Sequence, residues 1–190
     1  YDHPDSTEFR FRALLPAARL SGDADYLAEL LTQVARTEGL QGRFDEAHRT
    51  LDQADSLIQP AMRRARVRSL LERGRTFNSS DHADRAKPLF LEAWNLARAA
   101  GEDNLAGDAA HMVAIVEPAD SAIAWNQRAI AFAEASPDST GKHWLGSLYN
   151  NIGWSLHDQG DYAQALEVIQ RAWEGRKARQ IRSFRAASAW

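Results

Sequence analysis

The chain has no cysteine in 190 residues. That excludes disulfides, thiolate zinc sites and cysteine nucleophiles together, and it leaves the redox compartment unreadable. It also has no surplus of positive charge. Lys and Arg number 23 against 26 Asp and Glu, for a net charge of −3 and a pI near 6.1. A general nucleic-acid binder would be strongly basic, so nucleic acid is not an expected partner. The two basic runs, Arg63 to Arg68 and Arg176 to Arg185, read as helix surface or partner contact. No apolar run approaches the roughly 18 residues that a membrane helix needs. Tyr1 to Asp5 offer neither a basic region nor an apolar signal core, so a cytoplasmic setting is expected. An initiator methionine is missing and the pattern stops abruptly at Trp190, which reads as a piece excised from a longer protein. There is no Gly-rich phosphate loop, no HExxH pair and no GxSxG elbow. The six histidines are scattered, and the His157, Asp158 and Asp161 group falls in a turn, where acidic residues are ordinary. No catalytic residue, metal or cofactor is therefore expected, and the chain reads as non-enzymatic.

What is present is alanine, 34 residues of it, in a recurring place. The pairs Ala47/Ala54, Ala86/Ala93, Ala122/Ala129 and Ala165/Ala172 each span seven residues. Seven residues are two helical turns, so each pair lies on one helix face, where small side chains let a neighbouring helix approach. The leading alanines are 86−47 = 39, 122−86 = 36 and 165−122 = 43 residues apart. This is a repeat array, and each copy must stack on the next to bury its apolar face.

The best-formed copy reads helix, tight turn, helix. Tyr149, Ile152 and Leu156 form one stripe, and Gly153 makes a close-packing notch. Gly160-Asp161 breaks the helix, and Tyr162 is expected to pack under the turn. Ala165, Ile169 and Ala172 form the inner face of the second helix. These residues resemble the tetratricopeptide repeat, a helix–turn–helix unit of about 34 residues. Less faithful copies run through Leu31, Val34, Ala35 and Gly42 to Ala54, through Leu70, Gly74, Phe77, Ala86, Phe90 and Ala93, and through Ala109, Ala110, Val113, Ala122 and Ala129. Together they cover residues 26–174.

The resemblance implies an all-α fold, a right-handed superhelical solenoid of antiparallel helix pairs with nine to ten helices. Residues 1–25 would hold a leading helix capped at Ser6, residues 26–175 four helix pairs, and residues 176–190 a closing helix, all in one continuous solenoid domain. In that closing helix Ile181, Phe184 and Ser188 would face the array while Arg179, Arg182 and Arg185 face water. Several residues depart from the family pattern. Arg73 stands in place of leucine, which would rotate or expose its helix. Glu38 replaces a large aromatic. Asn126 replaces an apolar residue, with Trp125 placed to take over its packing. Pro16 and Pro88 fall inside helices, where each predicts a late start or a kink. Long periods imply extended helices or loops, chiefly at 136–142.

In the family, the first helix of each pair lines a concave groove that takes an extended peptide or a partner's helix. Projection onto this chain places Glu29, Thr32 and Arg36, then Arg68, Leu71, Glu72 and Arg75, then Asp108 and His111, then Asn150, Asn151, Trp154 and His157 along it. The residues expected to bind are Arg36, Arg68, Arg75, His111, Asn150, Asn151 and Trp154. Arginines pair with carboxylates, asparagine amides with peptide backbone, and tryptophan offers an apolar shelf. The implied partner is a protein or peptide segment with acidic and apolar residues. The same arginines could equally be solvated or paired with a neighbouring Glu or Asp, and Trp154 could pack in the core. The lysines of the family's carboxylate clamp are absent. The leading functional reading is a protein-binding scaffold. The alternatives are a regulatory or sensory domain of a larger protein, such as a transcription regulator, and self-association through exposed aromatics such as Trp94, Trp173 and Trp190.

Overall fold

The computed structural model describes residues 3–137 and 141–187; the side chains of residues 119, 120, 141, 175, 176 and 178–187 lie outside that description. Among the described residues there are nine α-helices and no strand. They are α1 Pro4–Leu20, α2 Ala24–Leu40, α3 Phe44–Leu57, α4 Arg63–Ser79, α5 Ala83–Ala100, α6 Asp103–Val116, α7 Ala119–Ala135, α8 Leu145–Asp158 and α9 Tyr162–Ala187, with a short 3-10 turn, Gly141–Trp144, leading into α8. The chain divides into two compact units, one through Ala109 and one from Ala110 onward. In the first, α1 packs on α2, α2 on α3 and α4, and α4 on α3 and α5. In the second, α8 packs on α7 and α9. The all-helical, pairwise architecture is the one the alanine spacing called for.

All eight repeat alanines are buried. A small residue on the first helix is followed sixteen positions later by a larger one on the second in every copy: Ala35 and Leu51, which share a core cluster, Gly74 and Phe90, Ala110 and Asn126, Gly153 and Ile169. The notches are tight. A Cβ on Gly74 would lie 2.4 Å from the Phe90 ring, and one on Gly153 would lie 2.4 Å from Ile169 Cγ1. Interiors at crystal-like density leave no room for that methyl group.

The turn inside three of the four pairs also repeats. Gly42 and Gly160 sit at φ +74° and +84°, a left-handed conformation that costs an L side chain roughly 1–2 kcal/mol. The second copy puts Asp81 at the same place, at φ +64°. Asp tolerates this region better than most residues because its short side chain bonds locally.

Several local expectations are corrected. Helix α1 begins at Pro4 with His3 as its cap, and Ser6 donates from inside the first turn to the His3 carbonyl at 3.1 Å. Neither Pro16 nor Pro88 delays its helix; both lie in the interior of α1 and α5. Both are exposed, as are Arg12 and Asp84 four residues before them, so water can reach the carbonyls they leave unbonded. Arg73 neither rotates nor frees α4. It donates to Asp52 at 2.8 Å and Asp55 at 2.9 Å on α3, and Gly74 keeps its place against Phe90. Trp125 does not stand in for Asn126: Asn126 itself fills the core at 1% exposure, and Trp125 is half-buried beneath Arg128. Tyr162 does not pack under its turn; it is exposed, with its ring 5.2 Å from His157. Helix α9 runs unbroken from Tyr162 to Ala187, with no break at 176. The expected orientations of Ile181, Phe184 and Ser188, and of Arg179, Arg182 and Arg185, fall outside the described side chains. Of the loop expected at 136–142, residues 138–140 lie outside the described residues and 141–142 belong to the 3-10 turn.

Glu38, in the place of an aromatic, is buried to 1% exposure and accepts from Arg12 of α1 at 2.5 Å. Burial raises its carboxyl above the ordinary range despite the arginine. Its neighbour Glu8 accepts from Arg12 at 2.6 Å and Gln41 at 2.7 Å, and also from Arg43. Burial pushes the Glu8 carboxyl up, but Arg12, Gln41 and Arg43 together hold it below its ordinary value. The leading helix is thus tied on by charge as well as by the apolar contacts of Leu15 and Ala18 with Leu31 and Val34.

Candidate functional site

The first helices of the first unit present a face built from alternating charge. Arg68 of α4 lies 2.9 Å from Glu29 of α2, and Arg64 sits between Glu29 at 3.4 Å and Glu102 at 3.3 Å. Arg36 of α2 lies 3.6 Å from Glu72 of α4. Arg75 of α4 donates to Glu72 at 2.6 Å and to Asp108 of α6. The three arginines expected to form a basic patch are therefore each paired with a carboxylate. Among the described residues of this face, Arg36, Arg64, Arg68 and Arg75 meet Glu29, Glu72, Glu102 and Asp108, four against four. Apart from Glu72 beside Arg75 on α4, the partners sit about one repeat away in sequence, and this is the signal the helix projection overlooked. Glu29, Glu72 and Asp108 were on the projected face, but as separate side chains.

Between α2 and α4 this face holds a cavity of about 300 Å³, lined by Arg36, Gly39, Leu40, Glu72, Arg75 and Thr76 among others. Burial raises the Glu72 carboxyl, and Arg75 and Arg36 only partly oppose it. For Arg75 burial alone would ease proton loss, yet Glu72 and Asp108 hold its pKa above the ordinary arginine value. The four arginines of this face are each paired, so it offers no basic patch.

In the second unit the expected residues form an amide and imidazole chain. The Asn126 amide on α7 donates to the Ala122 carbonyl at 2.9 Å. The Asn151 amide on α8 contacts His111 Nδ1 on α6 at 2.9 Å and Asn126 Oδ1 at 3.5 Å. The His111 ring lies 5.3 Å from the Trp144 ring. So His111 and Asn151 are brought together, but as a seam between helices. Asn150 is half-buried, and Trp154, one turn further along α8, is 57% exposed. Trp154 is not a core residue; its ring has His157 5.6 Å away, edge-on.

One cluster had no signal in any single segment. His48 of α3, Phe77 of α4, His82 at the N-cap of α5 and Arg85 in its first turn line a cavity of about 370 Å³ with Arg73. The His48 and Phe77 rings are 4.4 Å apart, and Arg85 lies over Phe77 at 4.0 Å. Burial, with help from Arg73 and Arg85, lowers the His48 pKa. Its histidines come from different copies, so only folding joins them. Among the described residues no three His, Asp or Glu side chains converge to hold a metal ion, and no helix is long and apolar enough to cross a membrane.

Residues 145–178 match the family model of the tetratricopeptide repeat. Those residues hold the Gly153 notch, Trp154 and the Ala165/Ala172 pair. With the paired helices upstream, the chain is a tetratricopeptide-like helical repeat protein. Among solved structures it is similar to the crystal structure of BtubC (BKLC) from P. vanneervenii, with a TM-score of 0.67 and 18% identity over 83% of this chain. At that identity the likeness is one of fold. The chain spans 66% of the BtubC chain, less than two thirds of its length. A comparison with curated protein sequences gives no match.

Proposed function

We propose that this protein is a non-catalytic scaffold that holds a protein or peptide segment on the first-helix faces of its repeats, in the cytoplasm. The observation that supports this most is Trp154. It is a large apolar side chain, 57% exposed, on the first helix of the copy that matches the family model. Tryptophan is among the residues enriched at binding hot spots. Trp154 takes an apolar side chain of the ligand, and Asn150 bonds its backbone. Asn151 and His111 position this face through their mutual hydrogen bond. On the face of the first unit, acidic ligand residues approach Arg36 and Arg68 and compete with Glu29 and Glu72 for them. Arg75 is the most enclosed of the three and acts there as a brace.

The test is selection from a displayed random-peptide library with the full chain, in parallel with Trp154→Ala. Trp154 is exposed, so its removal should leave thermal unfolding in place. Enriched peptides with apolar anchors that bind at least about tenfold more weakly to the variant are the expected result. Equal binding to both proteins overturns the assignment.

A further inference from the structure

The place held by Arg73 is apolar and buried in the other three copies, as Val34, Ala109 and Ile152. Packing alone therefore does not call for a guanidinium there. One nitrogen of Arg73, Nη2, meets both Asp52 and Asp55, so the fork keeps Nη1 and Nε–H for another acceptor. Arg85, in the first turn of α5, lies over the Phe77 ring and, among the described residues, has no carboxylate within ion-pair reach. The His48 ring packs on Phe77 from α3. Its Nδ1 is sealed in without a hydrogen-bond partner, so the neutral ring holds its proton on Nε2. Phe44 adds a second apolar ring to the wall, and Asp45 and His82 stand exposed at the rim. His82 Nδ1 donates to the Ser80 carbonyl at 2.6 Å. At His48 the influence of Arg73 and Arg85 exceeds that of Asp52 and Asp45, so the local field is positive.

We propose that this cavity between α3, α4 and α5 binds a small carboxylate carried on an apolar, ring-sized body, with Arg85 and Arg73 as its anchors. A guanidinium fork matches a carboxylate with two parallel hydrogen bonds. Arg73 is already balanced by two aspartates, so Arg85 supplies the one spare positive charge, and a singly charged group satisfies it. A phosphate dianion would set surplus negative charge beside Asp45, Asp52 and Asp55. Phe77 holds the Arg85 guanidinium in place by cation–π attraction. His48 donates from Nε2 to the same carboxylate, and Phe44 and Phe77 take the apolar body. A volume of about 370 Å³ lies at the small end of ligand pockets, which suits one ring and its acid group. The site is distinct from the first-helix face, since none of Arg36, Arg68 and Arg75 lines it.

The probes are benzoate, for a free acid, and N-acetylphenylalanine, for the carboxyl end of a peptide. Each is titrated into the full chain and followed by NMR of the histidine rings. The His48 signals, assigned with His48→Gln, should shift saturably with a roughly millimolar Kd for one probe or both, and the tighter probe identifies the source. Benzamide, the same ring without the charge, should bind about tenfold more weakly or worse. So should benzoate to Arg85→Gln; Arg85 is exposed, and circular dichroism would confirm that this variant stays helical. Arg49→Gln, exposed on α3, should bind as the unaltered chain does. Saturating benzoate should also raise the pH at which His48 takes up its proton, because a bound carboxylate favours the charged ring. Reciprocally, benzoate should bind more tightly as pH falls. No saturable His48 shift at about 50 mM of either probe overturns the proposal. Equal affinity in Arg85→Gln overturns it by placing the anion elsewhere, and tighter binding of phenyl phosphate overturns the carboxylate assignment. Trp154→Ala leaves benzoate binding unchanged, which keeps this inference separate from ligand binding on α8.

Discussion

The two units join their first helices by different chemistry. In the first, α2, α4 and α6 are laced by arginine–carboxylate pairs, with Arg75 reaching both Glu72 and Asp108. In the second, the seam is neutral: Asn126, Asn151 and His111 exchange hydrogen bonds. Yet within a pair both units use the same device, a glycine notch under a large side chain, Phe90 or Ile169. The repeat therefore fixes how two helices of one copy meet, while the contact between copies is free to vary. Charge pairs are the more demanding choice. Once buried they must stay complete, because a lone charge is far costlier than a lone amide.

That contrast can be broken from its stronger side first. Arg75→Met leaves Asp108 without the cation it shares with Glu72, and Glu72 with Arg36 alone at 3.6 Å. The expected cost is about 3–5 kcal/mol in urea unfolding, and Glu72→Leu in the same chain should restore part of it. A cost near zero would show that the pairs are ornament. In the neutral seam Asn151→Leu removes the donor to His111 and leaves the buried Asn126 oxygen without it, for a loss of about 1–3 kcal/mol. Asn126→Leu, which restores the apolar pattern of the other copies, should cost much less. The shared notch gives a matched pair of tests. Gly74→Ala and Gly153→Ala should each cost about 1–3 kcal/mol by overpacking, partly offset by better helix propensity. Gly74→Ala should be the worse, because its Cβ meets three ring atoms of Phe90 at under 3.0 Å, whereas Ile169 presents one.

The smallest effect sharpens the comparison by pH. The folded pKa of His48 lies below the ordinary 6.5, through burial, Arg73 and Arg85. The native state thus binds the proton less readily than the unfolded chain. The stability this supplies is complete above pH 6.5 and is lost as pH falls through the lower folded value. Denaturation midpoints should therefore drop between neutral and mildly acidic pH, and His48→Leu should flatten that slope. An unchanged slope in the variant would assign the pH response elsewhere.

The sequence by itself determined the repeat. Alanine pairs at seven, small-to-large pairs at sixteen and a turn residue before each second helix are periodic facts, and helical geometry converts them directly into faces. Tyr162 and Trp94 mark where that reading ended. Both are aromatic and both sit at set places in the pattern, yet one is exposed and the other buried, because burial depends on which helix comes next. Charge was the other gap. Arg36, Arg68 and Arg75 were legible as one face, and pairing with a neighbouring carboxylate, as Arg75 makes with Glu72, was open to the sequence; the pairs to Glu29, Glu72 and Asp108 on other helices were not, since those partners lie about a repeat away. Only the tertiary structure decided which side chains pair and which stay open, as Trp154 does at 57% exposure. The physical reason is range: backbone periodicity is local, whereas desolvation and ion pairing are set by whatever packing brings within a few ångströms.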